Sequence, residues 1–202
     1  MTPSDETRPE RQKDAAMSAQ IAQFFSERAI QECLESDNRA EFHICDGNEN
    51  ASTEKEQRTF ILRVPMTNDL YSFTVKNPGR KKIHHLAVDH CFFDRSYSGD
   101  RCDCIVFDDV YFCFVELKLN LRTKKGAAKH LRKARKQLGS VIQEFKRTFQ
   151  NNSKDFLGYI LEAFIVMYKQ RYPKDTASRK IRAVHFLEEY GVALFETNEK
   201  VF

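Results

Sequence analysis

The chain lacks any stretch able to cross a membrane as a helix, because no run approaches the roughly 18 consecutive apolar residues that a span requires. The opening segment MTPSDETRPERQKD is polar and has no apolar h-region, so no secretory signal is expected there. None of Cys33, Cys45, Cys91, Cys102, Cys104 and Cys113 is spaced CxxC, which leaves a zinc site of that kind unsupported. Cys102 and Cys104 alternate in an apolar run, as small buried hydrophobes do, and a reducing cytoplasm is the expected compartment. There is no Trp and no internal repeat. The net charge of +4 is too small to name a partner.

What is present is 41% apolar and 31% charged residues in a chain of 202, enough for one well-filled core. The 17 Phe cluster inside apolar runs and are read as core. Residues 1–15 have the composition of a disordered tail, followed by a single domain over 16–202. Charge is unevenly spread: from Arg122 to Lys136 there are eight Lys or Arg and no acid, whereas the first 60 residues are mixed or acidic. Clustered base on one element is the footprint of a polyanion partner, and equally of a solvated helix face.

Along the chain, Met17, Ile21, Phe24 and Phe25 predict an amphipathic helix over Met17–Leu34. A polar loop over 46–57 and β-rich runs over 60–64, 70–75 and 83–93 follow, the last two punctuated by Asn77-Pro78-Gly79. Strong strands are expected over 101–107 and 110–117, then a long helix over 123–150 with the stripe Leu131, Ala134, Leu138, Val141, Ile142, Phe145 and Phe149. The run FLGYILEAFIVMY fits a parallel strand buried on both faces better than a helix. A helix over 173–190, with Ala177, Ile181, Val184 and Leu187 as its apolar face, and a strand over 192–196 close the chain. The expected fold is α/β, a central mixed sheet covered on both faces by helices.

The chemistry lies in CDCIVFDDVYFCFVELK. A two-residue turn at Asp108-Asp109 would pair Phe107 with Val110 and set Asp103 opposite Phe114. Asp103, Glu116 and Lys118 then share one face, with Asp103 and Glu116 diagonal neighbours about 7–8 Å apart at Cβ. Two such carboxylates can share a hard divalent cation. A one-residue slip would put Asp103 on the other face and destroy the group. Charged residues at the end of an apolar hairpin call for a shared reason. The plain alternative is an ion pair of Lys118 with Glu116 or Asp103 at the sheet's edge.

Asp103, twelve residues, then Glu116-Leu117-Lys118 on adjacent strands resembles the PD-(D/E)XK nuclease superfamily, most closely its Holliday-junction-resolvase-like branch, over roughly residues 17–168. Cys102 stands where the motif has Pro. The resemblance implies a restriction-endonuclease-like αβββαβ core with a C-terminal helix and strand added. It implies Mg2+ or Mn2+ held by Asp103, Glu116 and the Leu117 carbonyl, with Lys118 orienting or helping to deprotonate the attacking water. It suggests an acid from the first helix, for which Glu32 lies in the Met17/Ile21/Phe25 sector, and a Gln on the helix after the motif, which is Gln137 beside His130 and Lys133. Glu32 reads equally as an ordinary exposed Glu, and Gln137, His130 and Lys133 as a solvated helix edge. Arg122, Lys124, Lys125, Lys129, Arg132, Lys133 and Lys136, with Arg135, would bind nucleic-acid backbone without sequence preference. DNA is the expected substrate, and the site chemistry allows RNA equally. A fold-retaining, non-catalytic nucleic-acid-binding or assembly subunit is the alternative, and a homodimer or larger complex fits so compact a chain. Asp89-His90 could form a second metal-related pair, but a lone His at a strand end is more often structural, and His84, His85 and His90 are left out of the site.

Overall fold

A computed structural model describes residues 17–25, 27–47, 52–62, 72–93, 97–118, 127–152, 156, 158–167 and 177–202. The expected tail over 1–15 and the basic residues Arg122, Lys124 and Lys125 lie outside the described residues. The predicted first helix is two: α1 over 17–24 and α2 over Glu27–Cys33. Leu34 already belongs to a strand. The strands are β1 (Leu34–Asp37), β2 (Glu41–Cys45), β3 (Phe60–Leu62), β4 (Ser72–Lys76), β5 (Ile83–Ala87), β6 (Cys104–Phe107), β7 (Tyr111–Lys118), β8 (Ile160–Met167), β9 (Ala193–Phe195) and β10 (Glu199–Val201). A short helix α3 (Glu54–Gln57) precedes β3, while α4 (Ala127–Asn151) and α5 (Ala177–Tyr190) connect β7 to β8 and β8 to β9.

Six strands form one mixed sheet in the order β1-β5-β6-β7-β8-β9. Pairing is antiparallel from β1 to β7 and parallel from β7 to β9, where α4 and α5 make the crossovers that parallel pairing demands. A second sheet, β10-β4-β2-β3, packs on the other face. The expectation of helices on both faces is therefore corrected. Phe42, Ile44, Phe73 and Val75 of the small sheet meet Val106, Val115, Leu117 and Val166 of the large one. Among the described residues, no helical side chain belongs to that cluster. The strands alternate, so Ile105, Phe107, Phe112 and Phe114 point the other way, into the helical layer.

That layer is anchored by α4, whose seven predicted stripe residues are all buried. Phe145 alone stacks or abuts Phe25, Phe92, Phe112, Phe114 and Phe149. Burying each such side chain stabilises by about 1.5–3 kcal/mol before the entropy cost of ordering it. The face expected to bury α5 faces outward instead: Ile181, Val184 and Leu187 are 53%, 50% and 50% exposed, and Phe186 is the buried residue. The rotation has a cause. Arg179 and Arg182 reach the buried Glu196 carboxylate, and Phe186 packs with Tyr190, so the opposite side of the helix is drawn inward.

Cys45, Cys102, Cys104 and Cys113 are free and buried, as expected of small hydrophobes, whereas Cys33 and Cys91 form a disulfide that was not foreseen. It ties the end of α2 to a kinked turn at Val88–Phe92 that follows β5 and is extended at Asp89. No helix among the described residues is long and apolar enough to cross a membrane.

Candidate active site

The hairpin register sets the geometry. Phe107 pairs with Phe112 and Cys104 with Val115, so the two-residue turn is Asp109-Val110, not Asp108-Asp109. Asp108 closes it: its N–H donates to the Tyr111 carbonyl, and its buried carboxylate accepts the Val110 and Tyr111 N–H groups at 2.8 and 2.6 Å. This chelation fixes the ends of both strands. One step beyond the Cys104–Val115 pair, Asp103 lies opposite Glu116 rather than opposite Phe114. The expected register was two residues out, which preserves faces, so Asp103 and Glu116 still meet.

The Asp103 carboxylate accepts the Leu117 N–H, and the Glu116 carboxylate accepts from the Lys118 ammonium. Glu116 is completely buried, and its Oε2 has no hydrogen-bond partner. Burial pushes the Asp103 carboxyl up to about 7, and the charges of Asp46 and Asp89 add to this against the opposing pull of Lys118. Burial also raises Glu116 well above the usual carboxylate range, with the Asp103 charge next in importance. Desolvation works against the Lys118 ammonium, but Glu116 and Asp103 outweigh it and hold its pKa above that of an ordinary lysine. Two acids thus share a site that favours their neutral forms, a condition relieved by a cation.

The kinked turn at Val88–Phe92 adds a residue that sequence reasoning left out. Val88 and Asp89 donate their N–H groups to the Asp103 carbonyl at 2.9 and 3.3 Å. The Asp89 carboxylate reaches the His90 ring at 3.3 Å and Arg101 at 3.8 Å, with His90 at φ 57. The adjacent Asp89-His90 at a strand's end was the signal for it. Asp46, just past β2, had none, because only the stacking of the two sheets brings its charge near. His84 and His85 are structural, as expected. His84 stacks on Phe107, while His85 bonds Thr59 and is pushed down to about 3 by burial and then by Arg58.

Gln137 donates from Nε2 to the Arg101 carbonyl at 2.7 Å, holding the segment that leads to Asp103. Lys136 pairs with Asp100 at 2.7 Å, and Lys129, His130, Arg132 and Lys133 are exposed on α4. Glu32 is exposed on α2, where its carbonyl accepts from Arg58 at 2.6 Å, and that placement alone does not join it to the pair.

The donors available are oxygens, from two carboxylates and a strand carbonyl, a set suited to a hard divalent cation. The orphaned Glu116 Oε2 fits such an ion. Among the described residues, no group of three His, Cys, Asp or Glu is placed to hold one. Comparison with protein-family models, with curated proteins and with solved structures finds no match.

Proposed function

We propose that this chain is a metal-dependent nuclease that hydrolyses phosphodiester bonds, with DNA as its substrate. The observation that carries the reading is the buried, unpartnered Glu116 Oε2 opposite Asp103 and beside Lys118. The order α1, β5, β6, β7, α4, β8 supports the αβββαβ core that the motif's resemblance implies, with α2 and β1–β4 inserted after its first helix.

Asp103 and Glu116 would hold magnesium or manganese. A residue's N–H and C=O leave a strand on the same side, so the Leu117 carbonyl points towards Asp103, as its N–H does, and suits a third ligand. A bound divalent cation polarises a phosphoryl oxygen and acidifies the attacking water. Lys118, kept protonated by its two acidic neighbours, orients that water by donating to it and offsets charge on the phosphate. Gln137 positions the Asp103 segment from behind, and Lys129, Arg132, Lys133 and Lys136 offer α4 to the backbone.

The test is cleavage of single-stranded, duplex and branched DNA, and of RNA, with magnesium or manganese. Glu116→Gln and Lys118→Ala should each lose activity, Glu116→Gln by about a thousandfold or more, the several kcal/mol that a metal ligand supplies. Absence of cutting with either metal, or variants as active as the parent, would leave only the non-catalytic reading.

A further inference from the structure

Between α4 and α5 lies a cleft of about 300 Å³ that the cutting chemistry does not use. Arg132, Arg135 and Lys136 enter it from α4, and Arg182 and His185 from α5, against one acid, Glu189. Its apolar wall is Phe186 and Tyr190. The helices are held there firmly. Lys146 donates to the Tyr190 carbonyl at 2.6 Å, and a Cβ on Gly139 would come within 2.3 Å of the Tyr190 ring, so only glycine lets Tyr190 lie against α4.

Two of the arginines that line the cleft each carry a buried guanidinium nitrogen without an acceptor: Nη1 of Arg135 and Nε of Arg182. The nearby carboxylates are in ion pairs of their own, with Glu196 Oε2 left without a hydrogen bond. Asp100 takes Lys136, and Glu196 takes Arg179 and the far end of Arg182 at 3.4 Å. Arg135 is disfavoured in its charged form by burial first and by Arg182 second. A buried donor with no acceptor costs about 1–3 kcal/mol, and more when charged. A chain that keeps two mutually repelling arginines in this state gains when one multivalent anion accepts from both. The guanidinium fork matches the oxygen spacing of a phosphate, and the cleft is far larger than a single oxyanion, leaving room for the ester attached to it.

We propose that the α4–α5 cleft is a phosphate-binding site in which Arg135 and Arg182 are the paired ligands. Arg132 and Lys136 lie on the same helix face that the nuclease reading assigns to nucleic acid, so a backbone phosphate is the occupant if that reading is right. The binding itself does not depend on it.

Full-length protein in EDTA is titrated with inorganic phosphate, with pyrophosphate and with a fluorescent single-stranded DNA 12-mer, by calorimetry, thermal shift and anisotropy. Phosphate or pyrophosphate should bind the parent and raise its Tm. Arg135→Gln and Arg182→Gln should each weaken that binding by about tenfold or more, as expected for losing one charge-assisted pair. Lys82→Gln, outside both the cleft and the basic face of α4, should leave it unchanged. Arg135→Gln should also be no less stable than the parent without ligand, since it removes an unpaired buried charge, and this separates a binding role from a structural one. Arg135→Lys keeps the charge without the fork and should fold normally yet bind phosphate less well. If the 12-mer also weakens in both variants, the phosphate comes from nucleic acid. If only the small anions do, the ligand is a phosphorylated small molecule. Either supports the cleft. No binding of any of the three probes, or affinities unchanged in both arginine variants, would overturn it. A chain that cuts nothing but still binds phosphate would refute the nuclease and leave the cleft standing.

Discussion

Replacing Asp103 by asparagine removes a charge but keeps an acceptor for the Leu117 N–H, so the variant isolates what ionisation costs. In the folded, metal-free protein this carboxyl is raised from 3.8 to about 7. Between those values the unfolded chain has lost a proton that the folded chain retains. The slope of unfolding free energy with pH is therefore negative, and stability falls as pH rises from about 4 to about 7. The full displacement corresponds to about 4 kcal/mol above pH 7, near zero at pH 4. Asp103 keeps some contact with water, and screening brings the expected figure to about 2–3 kcal/mol. For a domain of this size that is a rise in Tm of about 5–10 °C for Asp103→Asn at pH 8 in EDTA, shrinking to nothing near pH 4. Thermal melts and urea unfolding across pH 4–8 measure it. Adding magnesium should reverse the order. The parent gains about 2.7 kcal/mol at a hundred times its Kd, and the variant, having lost a ligand, gains little. A variant less stable than the parent at pH 8, or a gain that does not vary with pH, would refute the reasoning.

Gln137→Ala frees the Arg101 carbonyl and should lower kcat about tenfold with KM nearly unchanged, because it loosens the approach to Asp103 rather than substrate binding. A Tm drop beyond about 4 °C with kcat unaffected would make Gln137 merely structural. Cys33 and Cys91 are 58 residues apart, and closing a loop of that length is worth about 4 kcal/mol at most. Reduction, or Cys33→Ser, should lower Tm by several degrees and slow cleavage as well, since Cys91 follows Asp89 and His90 in the kinked turn. A melt indifferent to reductant would refute this.

The elements that were legible are those with a long buried stretch or stripe. The stripe of α4 and the apolar run of β8 carry their burial in their composition, and each lies where its pattern put it. The strands LESD, EFHIC and EKV did not, because they are short and partly exposed, with no period long enough to read. The last two lie in a sheet assembled by pairings between distant segments, β10 with β4 among them. The wheel of α5 showed a genuine apolar stripe, but a wheel does not record that Arg179, Arg182 and Phe186 on the other side have the stronger claims. The disulfide was equally hidden, since its two cysteines come together only after α2 has packed on the kinked turn at Val88–Phe92.

The hairpin shows how a site can be legible while its turn is not. Register enters the chemistry in two ways, through the face on which a side chain lies and through its distance from its partner. Parity alone decides the face, and the two-residue displacement of the turn left it intact. Distance is not protected in the same way. Moving Asp103 from a diagonal position to one opposite Glu116 shortens the Cβ separation from about 7–8 Å to about 4.5–5.5 Å, where like charges face each other directly. The repulsion that adds to burial in raising Glu116 therefore follows from the turn at Asp109-Val110, which Asp108 holds by accepting two backbone N–H groups. That turn lies at the far end of the hairpin from the carboxylates, yet it sets how closely the two face each other.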